Sequence, residues 1–110
     1  MPSKAHAQSI IELLKSRGET VSVAESLTGG GLGHALTHIP GASAVFIGGV
    51  IAYTSDVKVN LLGVQQSTID KHSVVSEEVA LEMAQGAIKK FGTTWAIATT
   101  GIAGPGDYMG

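Results

Sequence analysis

Three short apolar segments alternate with segments of helical periodicity, and this alternation constrains the fold more than any other feature of the chain. The apolar segments cover residues 20–24, 45–53 and 93–100 and are rich in Val, Ile and Thr, which favour strands. Between them, apolar residues recur at the three- and four-residue spacing of amphipathic helices. Helices that separate strands predict an α/β domain whose ligand crevice lies beyond the carboxyl ends of the strands.

The helical segments carry start and stop signals. Five helices are predicted, over residues 3–17, 32–39, 55–62, 67–72 and 77–91. The last has Ser76 as an N-cap, acidic residues in its first turn and Gly92 beyond its end. In the fourth, Ser67 and Asp70 have the spacing of a capping box. These signals predict where each helix begins and ends.

The 15 glycines among the 110 residues are clustered. Four lie in residues 29–33, two are Gly48 and Gly49, and four lie in residues 101–110. Such blocks mark turns with positive φ, or places where the backbone closely approaches a neighbour or a ligand. The run 45–53, which contains the second pair, predicts a strand that is buried on both faces, with a bulge or close approach at the glycines.

Charge and residue content narrow the classes of function. Seven Lys and Arg against nine Asp and Glu give no basic field for nucleic acid or an anionic membrane, so neither is expected as a partner. The absence of cysteine excludes disulfides, Cys-ligated zinc and a thiol nucleophile, and fits a reducing compartment. The longest apolar run is too short to span a bilayer. We therefore expect a single cytoplasmic domain over residues 1–110.

The segment after the first predicted strand has the most suggestive chemistry. Ser26 and Thr28 stand where the strand gives way to the amino end of a helix. Backbone amides and the helix dipole favour an anion at such a corner, so the glycines there could cradle a phosphate. The spacing matches neither a P-loop nor the dinucleotide-binding fingerprint. The alternative is that Ser26 and Thr28 only cap the helix.

Lys58 stands five residues after Tyr53, beyond the second predicted strand. A lysine in this setting is commonly a solvated surface charge. A partly desolvated lysine, however, loses proton affinity and can act as a general base toward a hydroxyl such as that of Ser26. Ser26, Lys58 and Thr100 all follow predicted strands, which places them at one edge of the sheet.

Two histidines have a spacing that could bind a metal ion. His34 and His38 are four residues apart on one predicted helix. No third ligand is evident, and the glutamate of a zincin motif does not stand between them. We therefore assign neither a metal site nor a cofactor to this sequence.

Six short segments stand in a fixed order along the chain. They are Val-Ala-Glu-Ser-Leu-Thr-Gly-Gly (23–30), Pro-Gly-Ala-Ser (40–43), Gly-Gly-Val-Ile-Ala-Tyr-Thr-Ser (48–55), Lys58 with Leu-Leu-Gly-Val (61–64), Val-Ser-Glu-Glu-Val-Ala (75–80) and Thr-Thr-Gly-Ile-Ala-Gly-Pro-Gly (99–106). In this order they resemble the C-terminal domain of the competence-damage-inducible protein CinA. That family includes nicotinamide mononucleotide deamidases.

The resemblance implies a three-layer α/β/α sandwich, a mixed sheet with helices on both faces. It also implies that the chain is short of the strands and last helix with which the family domain continues, together with a substrate-contacting arginine. The N-terminal nucleotide-processing domain of CinA has no counterpart here. Because an open sheet edge with few strands invites pairing, we expect a homo-oligomer.

The same resemblance implies an amidohydrolase that converts nicotinamide mononucleotide and water to nicotinate mononucleotide and ammonia in pyridine nucleotide salvage. On matching positions Ser26 is the nucleophile, Lys58 its base, and Tyr53 a hydrogen-bonding partner that orients the pair. The alkoxide would attack the carboxamide carbon, and water would hydrolyse the resulting acyl-enzyme. The expected substrate-binding residues are Glu25, Thr28, Gly29, Gly30, Gly48, Gly49, Thr100, Gly101, Ala103 and Gly104.

Two other functions stay open at this point. Since the family's last segment has no counterpart, the chain could be a nucleotide-binding or oligomeric assembly module without catalysis. The glycines and caps could also serve only to build the fold. Ammonia release, nucleotide binding without ammonia release, and the absence of both distinguish the three.

Overall fold

Helices and strands alternate along residues 3–101, the part of the chain that the computed structural model describes. In chain order the elements are α1 (Lys4–Arg17), β1 (Val21–Glu25), α2 (Gly31–Thr37), a short 3₁₀ helix (Ala42–Ala44), β2 (Phe46–Ile51), α3 (Ser55–Leu62), α4 (Gln66–His72), α5 (Glu77–Phe91) and β3 (Trp95–Ala98). Each predicted helix and strand is present, with its ends within two residues of the prediction.

The three strands form a parallel sheet in the order β2-β1-β3. Helix α2 connects β1 to its neighbour β2, and helices α3 to α5 connect β2 to β3 on the other side of β1. Strands that run parallel need crossover connections of this kind. The resemblance implies a mixed sheet, which contains at least one antiparallel strand. Within residues 3–101 the sheet is not mixed, because both of its strand pairings are parallel. Parallel pairing brings the carboxyl ends of all three strands to one edge.

Helices cover both faces of this sheet. On one face, α1 and α2 bury their apolar residues against Val21 and Val23 of β1. On the other face, α3, α4 and α5 pack around Ala24. Successive residues of β1 thus point into two different cores, as expected for a central strand that is buried throughout. The predicted three-layer α/β architecture is confirmed.

Strand β2 departs from the prediction of burial on both faces. Its residues alternate between half-buried and exposed, and the side chains of Ile47 and Ile51 are 50% and 56% exposed. The cause is its place as an outer strand of the described sheet. The predicted close approach is present, because a Cβ at Gly49 would overlap the Val23 side chain and lie 2.7 Å from its carbonyl oxygen.

Most helix ends follow their predicted signals, and one does not. The Ser76 hydroxyl accepts from the amide of Val79, and Gly92 ends α5 with a left-handed φ of 67°. The predicted capping box of α4 is wrong, because that helix begins one residue before Ser67 and has no side-chain cap. None of the helices in residues 3–101 combines the length and apolar content needed to cross a bilayer.

Candidate active site

Residues that follow all three strands meet at the carboxyl edge of the sheet. Backbone pairing continues beyond the strands, since the Ala52 amide donates to the Glu25 carbonyl (2.6 Å) and the Thr99 amide donates to the Ala24 carbonyl (2.9 Å). Ser26 follows directly after β1, between these two extensions. The sheet itself therefore positions the chain segments that carry the candidate site.

Ser26 and Lys58, predicted as a pair from their places after two strands, are in contact. Lys58 Nζ lies 3.0 Å from Ser26 Oγ, and it also donates to the carbonyl oxygens of Ala52 (2.8 Å) and Tyr53 (3.2 Å). Both residues are 1% exposed. Among residues 3–101, no carboxylate forms an ion pair with Lys58.

The surroundings of Lys58 make its ammonium group easier to deprotonate. Burial lowers the pKa of Lys58 from its ordinary value of 10.5, because desolvation penalises the ammonium form. A neutral amine has two N–H groups, one for each carbonyl oxygen, and one lone pair that can accept the proton of the Ser26 hydroxyl. The pair can therefore act as a nucleophile with its general base.

Tyr53 reaches this pair through its backbone. Its carbonyl oxygen accepts from Lys58 Nζ, whereas its side chain is 57% exposed. The phenol makes no hydrogen bond to the part of the chain that the structure describes. The contact with Lys58 thus belongs to the carbonyl of Tyr53, and the ring is largely open to solvent.

The buried Glu25 carboxylate holds the amino end of α2. It accepts from the amides of Gly30 (3.2 Å), Leu32 (2.9 Å) and Gly33 (2.8 Å) and from the Thr28 hydroxyl. A substrate phosphate, which the sequence suggested for this helix end, therefore has no access to these amides. The alternative that Ser26 and Thr28 cap α2 is also wrong, because Gly30 is the N-cap and Glu25 takes the amides.

Two glycines with positive φ form the turn between Ser26 and α2. Gly29 has φ 58° and donates its amide to the Ser26 carbonyl (3.1 Å), and Gly30 has φ 101°. Side chains disfavour this left-handed backbone, so glycine suits both positions. The turn folds the first amides of α2 back over the Glu25 carboxylate.

Gly48 and Gly49 lie within strand β2 rather than directly after it. They pair with Ser22 and Val23 in the middle of β2, before the strand reaches the carboxyl edge. A Cβ at Gly48 would lie 3.3 Å from the ring of Phe91 in α5. Gly49 also lines a cavity together with Glu25, Gly30 and Gly33. The assignment of both glycines as substrate-binding residues therefore stays a prediction.

Thr99 is a residue of this corner that the sequence analysis missed. Its hydroxyl accepts from the Ser26 amide (3.2 Å) and lies 3.0 Å from the hydroxyl of Thr28. The predicted Thr100 instead donates its hydroxyl to the carbonyl of Val74 (2.8 Å), in the loop before α5. Successive side chains of an extended chain point to opposite sides. The two adjacent threonines therefore indicated that one hydroxyl faces Ser26. Only the register of β3 shows that it is the hydroxyl of Thr99.

The remaining predicted site residues follow β3. Gly101 lies against the residue after the nucleophile, since a Cβ there would be 3.1 Å from Leu27 Cδ2. Ala103 and Gly104 lie outside the described residues, so their predicted contact with substrate stays a prediction. The exposed rings of His34, in α2, and His38, directly after it, have their centroids 4.8 Å apart. No group of three or more His, Asp or Glu within residues 3–101 is placed to hold a metal ion.

Known proteins have sequences similar to this one. The family model described as the CinA C-terminal domain matches residues 3–109. A CinA-like protein from Parasynechococcus marenigrum is 55% identical over 100 residues, which are 91% of this chain and 24% of that protein. A CinA-like protein from Synechocystis is 58% identical over 94 residues, which are 86% of this chain and 23% of that protein. The chain thus spans about a quarter of the length of these relatives.

Solved structures share the fold. The competence/damage inducible protein CihA from Agrobacterium tumefaciens superposes with a TM-score of 0.91 at 43% identity, over 97% of this chain and 66% of that one. A CinA superfamily protein from Escherichia coli superposes with a TM-score of 0.87 at 34% identity, over 90% of this chain and 58% of that one. The resemblance drawn from the order of six short segments is confirmed, and the chain belongs to the CinA C-terminal domain family.

Proposed function

We propose that the chain is a cytoplasmic amidohydrolase that converts nicotinamide mononucleotide and water to nicotinate mononucleotide and ammonia. One observation carries this proposal: the buried Lys58 amine lies 3.0 Å from the Ser26 hydroxyl, at the edge of the sheet where α/β domains bind ligands. Membership of the CinA C-terminal domain family supports it, because nicotinamide mononucleotide deamidases occur in that family. The reaction belongs to pyridine nucleotide salvage.

The proposed mechanism uses one nucleophile and one base. Neutral Lys58 accepts the Ser26 proton while Ser26 Oγ forms a bond to the carboxamide carbon of the substrate. The carbon–nitrogen bond then breaks, and the Lys58 ammonium returns the proton to the leaving ammonia. A water molecule gives its proton to Lys58 and attacks the ester, which releases nicotinate mononucleotide and restores the Ser26 hydroxyl.

Two sets of groups around this pair have separate roles in the proposal. The carbonyl oxygens of Ala52 and Tyr53 hold Lys58 Nζ against Ser26 through the whole cycle. The exposed Tyr53 ring, Thr100 and Gly101 line the space that the nucleotide enters. No metal ion or organic cofactor takes part in any step.

Ammonia release from nicotinamide mononucleotide tests this function. We expect release by the wild-type chain and none by Ser26→Ala or Lys58→Ala. Ser9→Ala is the matched control for the loss of a serine hydroxyl, since Ser9 is exposed on α1 and only donates to the Ala5 carbonyl. Wild-type turnover by Ser26→Ala would contradict the assigned nucleophile.

Nucleotide binding without turnover is the second candidate. The burial of both Ser26 and Lys58 favours it, because neither side chain is open to solvent. Titration calorimetry with nicotinamide mononucleotide distinguishes the two candidates. Binding heat without ammonia after long incubation would favour the binding module over the hydrolase.

A further inference from the structure

The polar contacts around the Ser26 backbone form one continuous chain. The Ser26 amide donates to Thr99 Oγ1 (3.2 Å), and Thr99 Oγ1 lies 3.0 Å from Thr28 Oγ1. The Thr28 hydroxyl donates to the Glu25 carboxylate. Glu25 also accepts from three amides of the α2 turn, so the chain ends on a carboxylate that the fold holds in place.

The direction of this chain follows from the number of protons. A threonine hydroxyl has one proton to donate and lone pairs to accept with. Because the Thr28 proton goes to Glu25, the contact between the two threonines needs the proton of Thr99. The Thr99 oxygen is then the acceptor for the Ser26 amide. Every donor points from the nucleophile toward the carboxylate, and bonds in such a series polarise one another.

We propose that Thr99 is a positioning residue for the nucleophile. Its hydroxyl, polarised through Thr28 by Glu25, holds the Ser26 amide and keeps the Ser26 backbone in the conformation that places Oγ beside Lys58. This inference rests on the proposed function, because it assigns Thr99 a part in the same site. Thr99 does not touch the reacting atoms and acts only through Ser26.

The same contacts determine which backbone amides can bind the oxyanion of the intermediate. The amides that already donate within the corner are those of Ser26, Gly29, Gly30, Gly31, Leu32 and Gly33. Within this turn, the amides of Leu27 and Thr28 make no hydrogen bond to the described residues. The amide after a nucleophile is a common oxyanion donor. Leu27 and Thr28 therefore carry the amides of this turn that remain available to an oxyanion.

Thr99→Val tests this role, because it removes the hydroxyl and keeps the shape of the side chain. Thr99→Ser keeps the hydroxyl. Thr93→Val is the matched control, because Thr93 makes a buried hydroxyl contact with Ser22 (2.8 Å) away from the site. For each variant, kcat and KM are measured with nicotinamide mononucleotide. A second assay measures the rate at which a small fluorophosphonate phosphonylates Ser26, followed by the intact mass of the protein. In that reaction Ser26 Oγ displaces fluoride from phosphorus and its proton passes to Lys58.

We expect Thr99→Val to lower kcat and the fluorophosphonate rate by about 10- to 100-fold, because misplacing a reacting group by about 1 Å has an effect of this order. KM should stay unchanged, Thr99→Ser should restore both rates, and Thr93→Val should keep both. A Thr99→Val protein with wild-type rates would overturn the proposal. So would equal losses in Thr99→Val and Thr93→Val, which would indicate a general loss of stability.

The two readouts separate this proposal from the proposed function. If wild-type Ser26 reacts with the fluorophosphonate but nicotinamide mononucleotide is not hydrolysed, the proposed function fails. A slower reaction of Thr99→Val would then still support the positioning role. If wild-type Ser26 does not react with the fluorophosphonate, no activated nucleophile exists for Thr99 to position, and the proposal is overturned.

Discussion

Two pairs of hydroxyl side chains connect β1 and its flanking residues to β3 and its flanking residues. One pair lies toward the amino end of β1 and the other beyond its carboxyl end. Ser22 and Thr93 make a contact of 2.8 Å near the amino end, and Thr28 and Thr99 make one of 3.0 Å beyond the carboxyl end. The first pair makes no further side-chain hydrogen bond in the described chain. The second continues to the Ser26 amide and to a buried carboxylate. The same contact thus stabilises the fold at one end and supports a candidate site at the other.

The distribution of buried polar residues follows this division. Within residues 3–101, the buried polar or charged residues are Ser22 and Thr93 toward the amino end, and Glu25, Ser26 and Lys58 at the carboxyl end. Every buried side-chain nitrogen or oxygen there has a hydrogen-bond partner. The charged groups lie only at the carboxyl end, where their desolvation lowers stability. Functional sites commonly retain groups with such a cost.

Serine-to-alanine changes at the two ends give the largest expected contrast. Ser26→Ala should reduce ammonia release by about 1,000-fold or more, because it removes the nucleophile. Ser22→Ala should leave turnover unchanged and lower the free energy of unfolding by about 1 kcal/mol, the usual contribution of one hydrogen bond. Steady-state kinetics and urea unfolding measure both. If Ser22→Ala lost as much turnover as Ser26→Ala, the division into a structural end and a catalytic end would be contradicted.

Lys58→Met should abolish ammonia release and remove one pH-dependent contribution to stability. The unfolded chain keeps the Lys58 proton up to the ordinary pKa of 10.5, whereas the folded chain releases it at lower pH. Between these two pKa values the unfolded state binds more protons, so wild-type stability rises with pH. The rise is about 1.4 kcal/mol for each unit by which the pKa is lowered.

Urea unfolding of wild type and Lys58→Met across this pH range measures that contribution. The free energy of unfolding of the wild type, minus that of Lys58→Met, should increase with pH up to about pH 10.5 and then level off. Lys89→Met, on the exposed side of α5, is the control and should follow the wild type. A difference that does not vary with pH would mean that burial does not lower the pKa of Lys58.

Glu25→Gln should lower the free energy of unfolding by about 2 kcal/mol. One carboxylate oxygen becomes an N–H₂ group that faces backbone amides, and hydrogen bonds to a charged acceptor are lost. Glu19→Gln is the control at the amino end, where the side chain accepts from the Trp95 indole and forms a surface ion pair with Arg17. Urea unfolding compares the two variants, and an equally stable Glu25→Gln protein would contradict the role given to the carboxylate.

Tyr53→Phe should have the smallest effect of this series. The carbonyl of Tyr53 keeps its contact with Lys58, and the exposed hydroxyl makes no hydrogen bond to the described chain. The rate at which Ser26 reacts with the fluorophosphonate should therefore stay within about twofold of the wild-type rate. Loss of a hydrogen bond that orients the pair would have a larger effect. A larger loss in that rate would show that the phenol, rather than the carbonyl, orients the pair.

The sequence predicted the parts of this molecule that depend on local pattern. Ser76 and Gly92 indicated both ends of α5, because caps act within a few residues. Ser26 and Lys58 could be paired because the carboxyl ends of parallel strands meet at one edge. These are the features for which order along the chain already determines position in space.

The contacts that the sequence did not predict depend on register and on turn geometry. Gly48 pairs with Ser22 because the register shifts between Val21 and Ser22. The partners of Glu25 follow from the two positive φ values after Ser26, which turn the amides of α2 back toward the strand. Gly48 and Gly49 indicated a bulge or close approach in β2, but no periodicity or spacing predicts which residues they pair with or how the turn before α2 folds.

The pH dependence of the reaction between Ser26 and a small fluorophosphonate tests the central claim most directly, because it reports the protonation state of the base without requiring nucleotide binding. We predict a rate that rises with pH and levels off below pH 10.5, following the lowered pKa of Lys58, with no reaction in Lys58→Met. A rate that rises through pH 10.5 without levelling off, or that Lys58→Met retains, would contradict the assignment of a buried, neutral Lys58 as the base of Ser26.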